Sequence, residues 1–263
     1  MELINRIYQD RLDMSDHLIH FTRDKDEESA FQILKKIIQS GQINCGWSER
    51  NTRRTIFGNT PAVCFTEMPL IGLINYVKNR DDFSKIDFYG VALSKQYMFY
   101  HGARNVIYGL TRGSDDAETL PNGVRFTPHL PEEEQYRYML TGIKDLNDWT
   151  HEREWRWKNV YNWAEGDYFP VWKMEQPIIY GNAYHGDYYF SVRENLFILV
   201  RTISEAEELK TMFQTYNYPT YNLENIKKTY ILPLENISME TIPNVTNLNK
   251  LIEEQICIKV HSS

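Results

Sequence analysis

The sequence predicts an α+β fold, a mixed and largely antiparallel sheet with flanking helices in a single domain. Three features point to it. Strand-like and helix-like segments follow one another without regular βαβ alternation, which favours an α+β sheet over a doubly wound one. The 263 residues are 42% hydrophobic and 25% charged, enough apolar material to bury a core. No fixed-period repeat or low-complexity block divides the chain, so residues 15–263 are expected to form one domain behind an N-terminal segment 1–14.

Along the chain, residues 18–22 (Leu-Ile-His-Phe-Thr) read as a short strand, with Asp24 placed to cap the helix that follows. In that helix Ala30, Phe31, Leu34, Ile37 and Ile38 recur at three- and four-residue spacing, and Gly41 supplies a left-handed stop. Residues 42–60 read as a polar, Arg-rich loop, and 61–69 as a buried strand bounded by prolines, with a helix starting near Leu70. Two further strands are expected at 88–93 and 105–110. After a Gly-, Asp- and Pro-rich stretch, Pro131 and three glutamates make an acidic first turn for a helix whose apolar stripe is Tyr136, Met139, Leu140 and Ile143. Residues 152–160 alternate, with Trp155 and Trp157 on one face and Glu152, Glu154 and Arg156 on the other. An aromatic-rich insertion at about 161–190 reads as a long ordered loop or an irregular hairpin. The chain ends with a strand at 196–200, a helix capped by Ser204 and running to about Phe213, and a last strand at 228–232.

Composition narrows the function. Lys and Arg number 29 against 36 Asp and Glu, a net charge of -7, which argues against gripping nucleic acid by counterion release over the whole surface and leaves room for a local basic loop. No apolar run has membrane-spanning length, and Glu2, Arg6, Asp10, Arg11 and Asp13 break any signal core, so the protein is expected in the cytosol. Cys45, Cys64 and Cys257 are odd in number and unpaired in spacing, which disfavours a disulfide framework or a structural zinc site. Walker loop, GxGxxG turn, HExxH helix and GxSxG elbow are all missing from the sequence.

Several constellations remain. His20 and Thr22 lie two apart on one strand face, where they fit either a shared ligand or a satisfied histidine beside a β-forming threonine. A strand that spends two tryptophans on its core face points Glu152, Glu154 and Arg156 into a cleft or to water. Arg50, Arg53 and Arg54 suit bidentate phosphate recognition, or else pair with surface acids. Thr66 and Glu67 end the 61–69 strand beside these residues, while Cys64 and Phe65 fit a core. The aromatics of 161–190 offer faces for a nicotinamide or a base, or form a secondary core.

Taken in order, His20-Phe21-Thr22, the helix ending at Gly41, 61–69 (PAVCFTEMP), 89–95 (YGVALSK), 105–108 (NVIY) and Glu152-Arg153-Glu154-Trp155-Arg156 resemble the AbiGi family of bacterial abortive phage-resistance proteins. The resemblance covers roughly residues 18–156. The opening strand His-x-Thr, helix, Gly and later strand Glu is similar, more distantly, to DarT-type ADP-ribosyltransferases. The resemblance implies an ADP-ribosyltransferase-like fold in a bacterial cytoplasm, with NAD as substrate. It implies that His20 and Thr22 hold the nicotinamide ribose side, that Arg53 or Arg54 contacts phosphate, and that Glu154 grips the ribose; Phe21 between the first two, Thr66 at its strand end and Arg156 beside Glu154 are expected to adjoin this cofactor site. Such a carboxylate strengthens its contact as the oxocarbenium ion develops.

Three readings follow. The first is a phage-defence enzyme that uses NAD to ADP-ribosylate a macromolecule, with Glu154 and His20 catalytic, no metal, and either Glu152 or Glu154 as the functional carboxylate. The second is a catalytically silent antitoxin or sensor that binds a partner protein. The third is a metal-independent ribonuclease using His20 or His101 with Glu154.

Overall fold

The computed structural model describes residues 13–50, 53–111, 118–120, 123–128, 130–142, 149–159, 167–171, 178–180, 188–190, 195–215, 228–235, 237 and 247–260. From β1 (His17–Phe21) the chain enters α1 (Ala30–Ser40) and three short strands, β2 (Gln42–Asn44), β3 (Glu49–Arg50) and β4 (Arg53–Arg54). Next come β5 (Val63–Thr66), α2 (Leu70–Arg80), β6 (Gly90–Ser94), α3 (Lys95–Tyr100), β7 (Arg104–Asn105), β8 (Ile107–Thr111), β9 (Glu118–Thr119) and β10 (Arg125–Phe126). A 3-10 helix, Glu132–Arg137, leads into β11 (Tyr138–Gly142), and another, Thr150–Glu152, precedes β12 (Glu154–Trp157). The series closes with β13 (Tyr168–Pro170), β14 (Ile178–Tyr180), β15 (Tyr188–Phe190), β16 (Leu196–Val200), α4 (Ile203–Thr215), β17 (Thr229–Pro233), α5 (Lys250–Glu253) and β18 (Ile258–Lys259).

Eight strands form one sheet in the order β18-β17-β16-β6-β1-β5-β12-β7. Every neighbouring pair is antiparallel except β16 with β17, so the expected α+β class holds. Helices cover both faces. Leu34 and Ile38 of α1 and Leu209 and Phe213 of α4 pack with Leu18, Val91 and Ile198. Leu73 and Val77 of α2 and Leu251 of α5 pack with Ile19, Ala92 and Phe197. A strand covered on both sides needs apolar residues throughout, and all five of β16 are buried. Among the described residues no helix is long and apolar enough to cross a membrane.

Local chemistry sets the ends. Ser29 caps α1 in a reciprocal box with Gln32, and Gly41 takes the left-handed conformation, φ 69°, that ends it. Asp24, expected as the cap, instead accepts the Ala30 N–H at 2.8 Å. At α4 the capping role falls to Thr202 rather than Ser204: Thr202 Oγ1 accepts the Glu205 N–H and Glu205 accepts the Thr202 N–H. The 42–60 loop is partly strand, β2 to β4. Residues 131–143 correct the expected helix, because only a 3-10 turn forms before β11 pairs in parallel with β8. The Tyr138 ring lies over Gly109, where a Cβ would come within 2.0 Å of it, and this distant packing overrides the helical spacing. In the aromatic insertion, β13 pairs with β2 and β14 with β15, and Phe169 and Val171 join the core. Residues 160–166, 172–177 and 181–187 of that insertion lie outside the described residues, as do 1–12.

The strand at 152–160 is shorter than expected, beginning at Glu154 after a left-handed Arg153, φ 46°. Trp157 is buried against Phe169, ring centroids 5.1 Å apart, and Trp155 is partly buried. The Trp155 indole donates to Glu67 Oε2 at 2.8 Å, and Lys95 donates to Glu67 Oε1 at 2.8 Å. This trio, buried at Glu67 and Lys95, ties the start of α3 and the end of β5 to β12.

Two substitutions test the packing. Trp157→Ala is expected to cost about 3–5 kcal/mol by emptying a core site. Gly90→Ala places a Cβ 2.5 Å from the His20 carbonyl oxygen and is expected to cost about 1–3 kcal/mol by overpacking. Urea denaturation midpoints measure both, and a Gly90→Ala protein as stable as the parent contradicts the close approach of β6 to β1.

Candidate functional site

β1 and β5 meet through one register pair, Ile19 with Thr66, and then part. β12 stays paired with β5 over four residues, with Glu154 opposite Thr66. Ile19, Thr66 and Glu154 therefore stand in a row on one face, and by alternation His20, Phe65 and Trp155 belong to the other. Where β1 and β5 separate, the His20 ring reaches across and its Nδ1 lies 2.9 Å from the Cys64 carbonyl oxygen. A cavity of ≈ 370 Å³ occupies this parting and takes lining residues from both faces. That volume lies in the range of small-molecule sites. His20, Phe21, Thr66 and Glu154 line it, with Glu152, Tyr76 and Arg80 on the α2 side and Arg23 and Lys85 at another wall.

A carbonyl oxygen only accepts, so His20 Nδ1 carries the proton and Nε2 is left as an acceptor. Burial holds the His20 pKa below its ordinary value, with the Cys64 carbonyl opposing the shift. Glu154 Oε1 accepts from Arg156 Nε at 2.7 Å. Arg156 is 1% exposed, and its Nη1 donates to the carbonyls of Tyr136 at 2.7 Å and Tyr138 at 3.1 Å. Burial works hardest against the Arg156 charge, but Glu154 and Cys64 together more than offset it, and the guanidinium pKa is raised. The Cys64 thiol lies beside both groups, and burial, then the Glu154 charge, holds it well above the ordinary thiol range. It stays protonated and is no nucleophile. Glu152 Oε1 accepts from the Tyr76 hydroxyl at 3.0 Å with Arg80 3.9 Å away. Burial and then the Glu152 charge raise the Tyr76 pKa, so this phenol remains a donor.

The structure brings His20, Phe21, Thr66 and Glu154 together, and Glu152 with them. Thr66 is already committed, its hydroxyl donating to the Glu152 carbonyl at 2.5 Å and accepting the Met68 N–H. Thr22 is 3% exposed, donates to the Ala30 carbonyl at 2.8 Å and does not line the cavity. Arg156 lies behind Glu154 rather than in the open space, because its strand face is closed over by the 3-10 turn and β11. Arg53 and Arg54 sit on the β3–β4 hairpin, whose neighbours Ser48 and Glu49 reach the cavity while they themselves do not. His101 accounts for its ring elsewhere, with Nδ1 2.8 Å from the Tyr97 carbonyl. Among the described residues, no member of the aromatic insertion lines the cavity, and no cluster of three or more His, Cys, Asp or Glu has metal-site geometry.

Sequence reading missed Tyr76, Arg80, Arg23 and Lys85. Tyr76 and Arg80 stand four apart on α2, on one helical face with Leu73, and that polar interruption of an apolar stripe was the available signal. Arg23 and Lys85 carry no ion-pair partner among the described residues. Compared with protein-family models, with curated proteins and with solved structures, the chain finds no match.

Removing either charge of the Glu154–Arg156 pair strands the other. Arg156→Met is expected to cost about 3–5 kcal/mol, and Glu154→Gln/Arg156→Met to recover much of it, read as the coupling in a urea double-mutant cycle. Additive losses contradict the pairing. Because the folded His20 pKa is depressed, the unfolded chain takes up its proton first, and stability falls as pH drops through about 6.5. Urea midpoints between neutral pH and about pH 5 should show a shallower fall in His20→Gln.

Proposed function

We propose that the chain cleaves the nicotinamide–ribose bond of NAD and transfers ADP-ribose to a macromolecule, as an ADP-ribosyltransferase-like enzyme of bacterial phage defence. One observation carries this reading: His20 and Glu154, distant in sequence, line the same cavity at the parting of β1 and β5. In the proposed reaction, His20 Nε2 accepts a hydrogen bond from a ribose hydroxyl. Arg156 occupies Glu154 Oε1, and the second carboxylate oxygen holds the ribose as positive charge builds on it. The C1′–N bond breaks with its electron pair passing to the pyridinium nitrogen, so nicotinamide leaves neutral. The acceptor then bonds to C1′ and gives its proton to Glu152, two residues before Glu154 on the cavity wall. Arg23 and Lys85, rather than the expected Arg53 and Arg54, are the cavity cations left to meet the pyrophosphate.

A specific observation favours the silent-module reading as the alternative. Glu154 is bonded to a buried arginine beside the Cys64 thiol, as a structural carboxylate would be. The two readings part on turnover. Incubation with labelled NAD and lysate from phage-infected cells is expected to release nicotinamide and label an acceptor. Glu154→Gln and His20→Ala, checked for folding by thermal melts, should each lose about 10²-fold or more. An unchanged NAD pool and no label with any acceptor sinks the transferase. RNA cleavage without NAD in the same assay establishes the ribonuclease instead.

A further inference from the structure

Glu152 lines the cavity beside Glu154 but stands outside β12: it ends a 3-10 turn, and the left-handed Arg153, φ 46°, comes between them. Three side chains hold it. The Thr66 hydroxyl donates to its carbonyl at 2.5 Å and fixes the backbone. The Tyr76 hydroxyl donates to Glu152 Oε1 at 3.0 Å, and Arg80 Nη1 donates in turn to the Tyr76 oxygen. Arg80 Nη1 also stands 3.9 Å from Glu152 Oε1, so α2 gives this carboxylate both a neutral donor and a nearby cation. Tyr76 and Arg80 lie one helical turn apart on a helix that Leu73 and Val77 anchor in the core. The His151 ring meets the same phenol edge-on, centroids 5.4 Å apart. The two carboxylates thus have separate supports in different surroundings. Glu154 is 11% exposed and bonded to an Arg156 that is 1% exposed, whereas Glu152 and Arg80 are each 26% exposed. Glu152 is therefore the carboxylate on the more open side. At that separation and exposure its ion pair with Arg80 contributes little stability, and what the chain of donors chiefly fixes is the direction of the carboxylate.

We propose that Tyr76 and Arg80 are positioning residues for Glu152, and that the Arg80–Tyr76–Glu152 chain forms the acceptor end of the cavity. The proposal deepens the transferase reading and rests on it. Tyr76 occupies Glu152 Oε1, which leaves Oε2 for the acceptor. As a lone pair of the acceptor's nucleophilic atom bonds to C1′, the proton on that atom passes to Oε2, nicotinamide having taken the C1′–N electron pair. The partly exposed carboxylate then gives the proton to water. A base acts only within hydrogen-bond reach of the proton it takes, so a Glu152 released from Tyr76 loses transfer rate without loss of NAD binding.

Initial rates of label transfer from adenosine-labelled NAD to the lysate of phage-infected cells, measured over a range of NAD concentrations, test the positioning. Tyr76→Phe and Arg80→Met are each expected to lower the maximal rate about 10-fold or more while KM for NAD stays within about twofold, with thermal melts confirming that each variant folds. Arg80→Lys should restore part of the loss, since it keeps a cationic donor. In a Glu152→Gln background Tyr76→Phe should add nothing further, because residues that act as a unit are not additive. A second readout needs no turnover. Burial and then the Glu152 charge raise the Tyr76 pKa, so Glu152→Gln should move the Tyr76 titration downward while Arg80 and His151 stay in place. NMR of ring-labelled tyrosines follows it, with Tyr76→Phe assigning the signal. A parent that releases no nicotinamide overturns the transferase reading and this proposal with it. With an active parent, the positioning role alone falls if Tyr76→Phe keeps full transfer, if only KM changes, if its loss persists in Glu152→Gln, or if the Tyr76 titration does not move.

Discussion

The single register pair between β1 and β5 is the constraint on which the rest of the site depends. On its other side β1 is paired with β6 along all five residues, so it cannot turn to follow β5. Past Ile19 and Thr66 the two strands therefore expose backbone groups that a continuous ladder would have consumed, and buried groups of this kind demand partners. The imidazole of His20 satisfies the Cys64 carbonyl, and in doing so fixes which ring nitrogen is left over. One unpaired stretch of ladder thus yields both the cavity and the protonation pattern of its histidine.

Arg156 supports the opposite wall. It carries its charge inside the core, bonded forward to Glu154 and sideways to the carbonyls of Tyr136 and Tyr138. The guanidinium joins the main sheet to the segment leading into the separate β8–β11 pair, beside the Glu154 N–H that reaches the Tyr108 hydroxyl of β8, and its planar fork suits three acceptors in different directions. The carboxylate that faces the cavity is consequently held by residues well outside it. Glu67 plays a comparable role at the strand end, joining Lys95 to Trp155.

The elements legible in the sequence are those whose signal is local. The strands now found at His17–Phe21, Val63–Thr66 and Leu196–Val200 are apolar or alternating runs, and α1 has its stripe and its Gly41 stop. What misled was non-local. Tyr136 and Met139 keep helical spacing, yet Tyr138 packs on Gly109 from a segment about thirty residues earlier, a pairing that no window of sequence contains. The same limit applies to the site. Alternation correctly put Glu154 and Arg156 on one face, but whether that face is open depends on what folds over it, and β11 closes it at Arg156 alone. Thr22 shared a pattern with His20 while its hydroxyl was taken by the Ala30 carbonyl. Arg23 and Lys85 reach the cavity from connections whose course only the tertiary structure sets.

Cys64 gives the site an unexpected chemical property. A thiol on the wall of a ligand cavity is ordinarily the first group to meet an oxidant or an electrophile, and its reactivity follows its thiolate fraction. Here burial and the Glu154 carboxylate keep Cys64 protonated, while burial pushes Cys45 and Cys257 up to about 12, Cys45 with help from Asp167. An oxidant or electrophile that enters the cavity therefore meets a poorly activated thiol, in contrast to sites built around an ionised one.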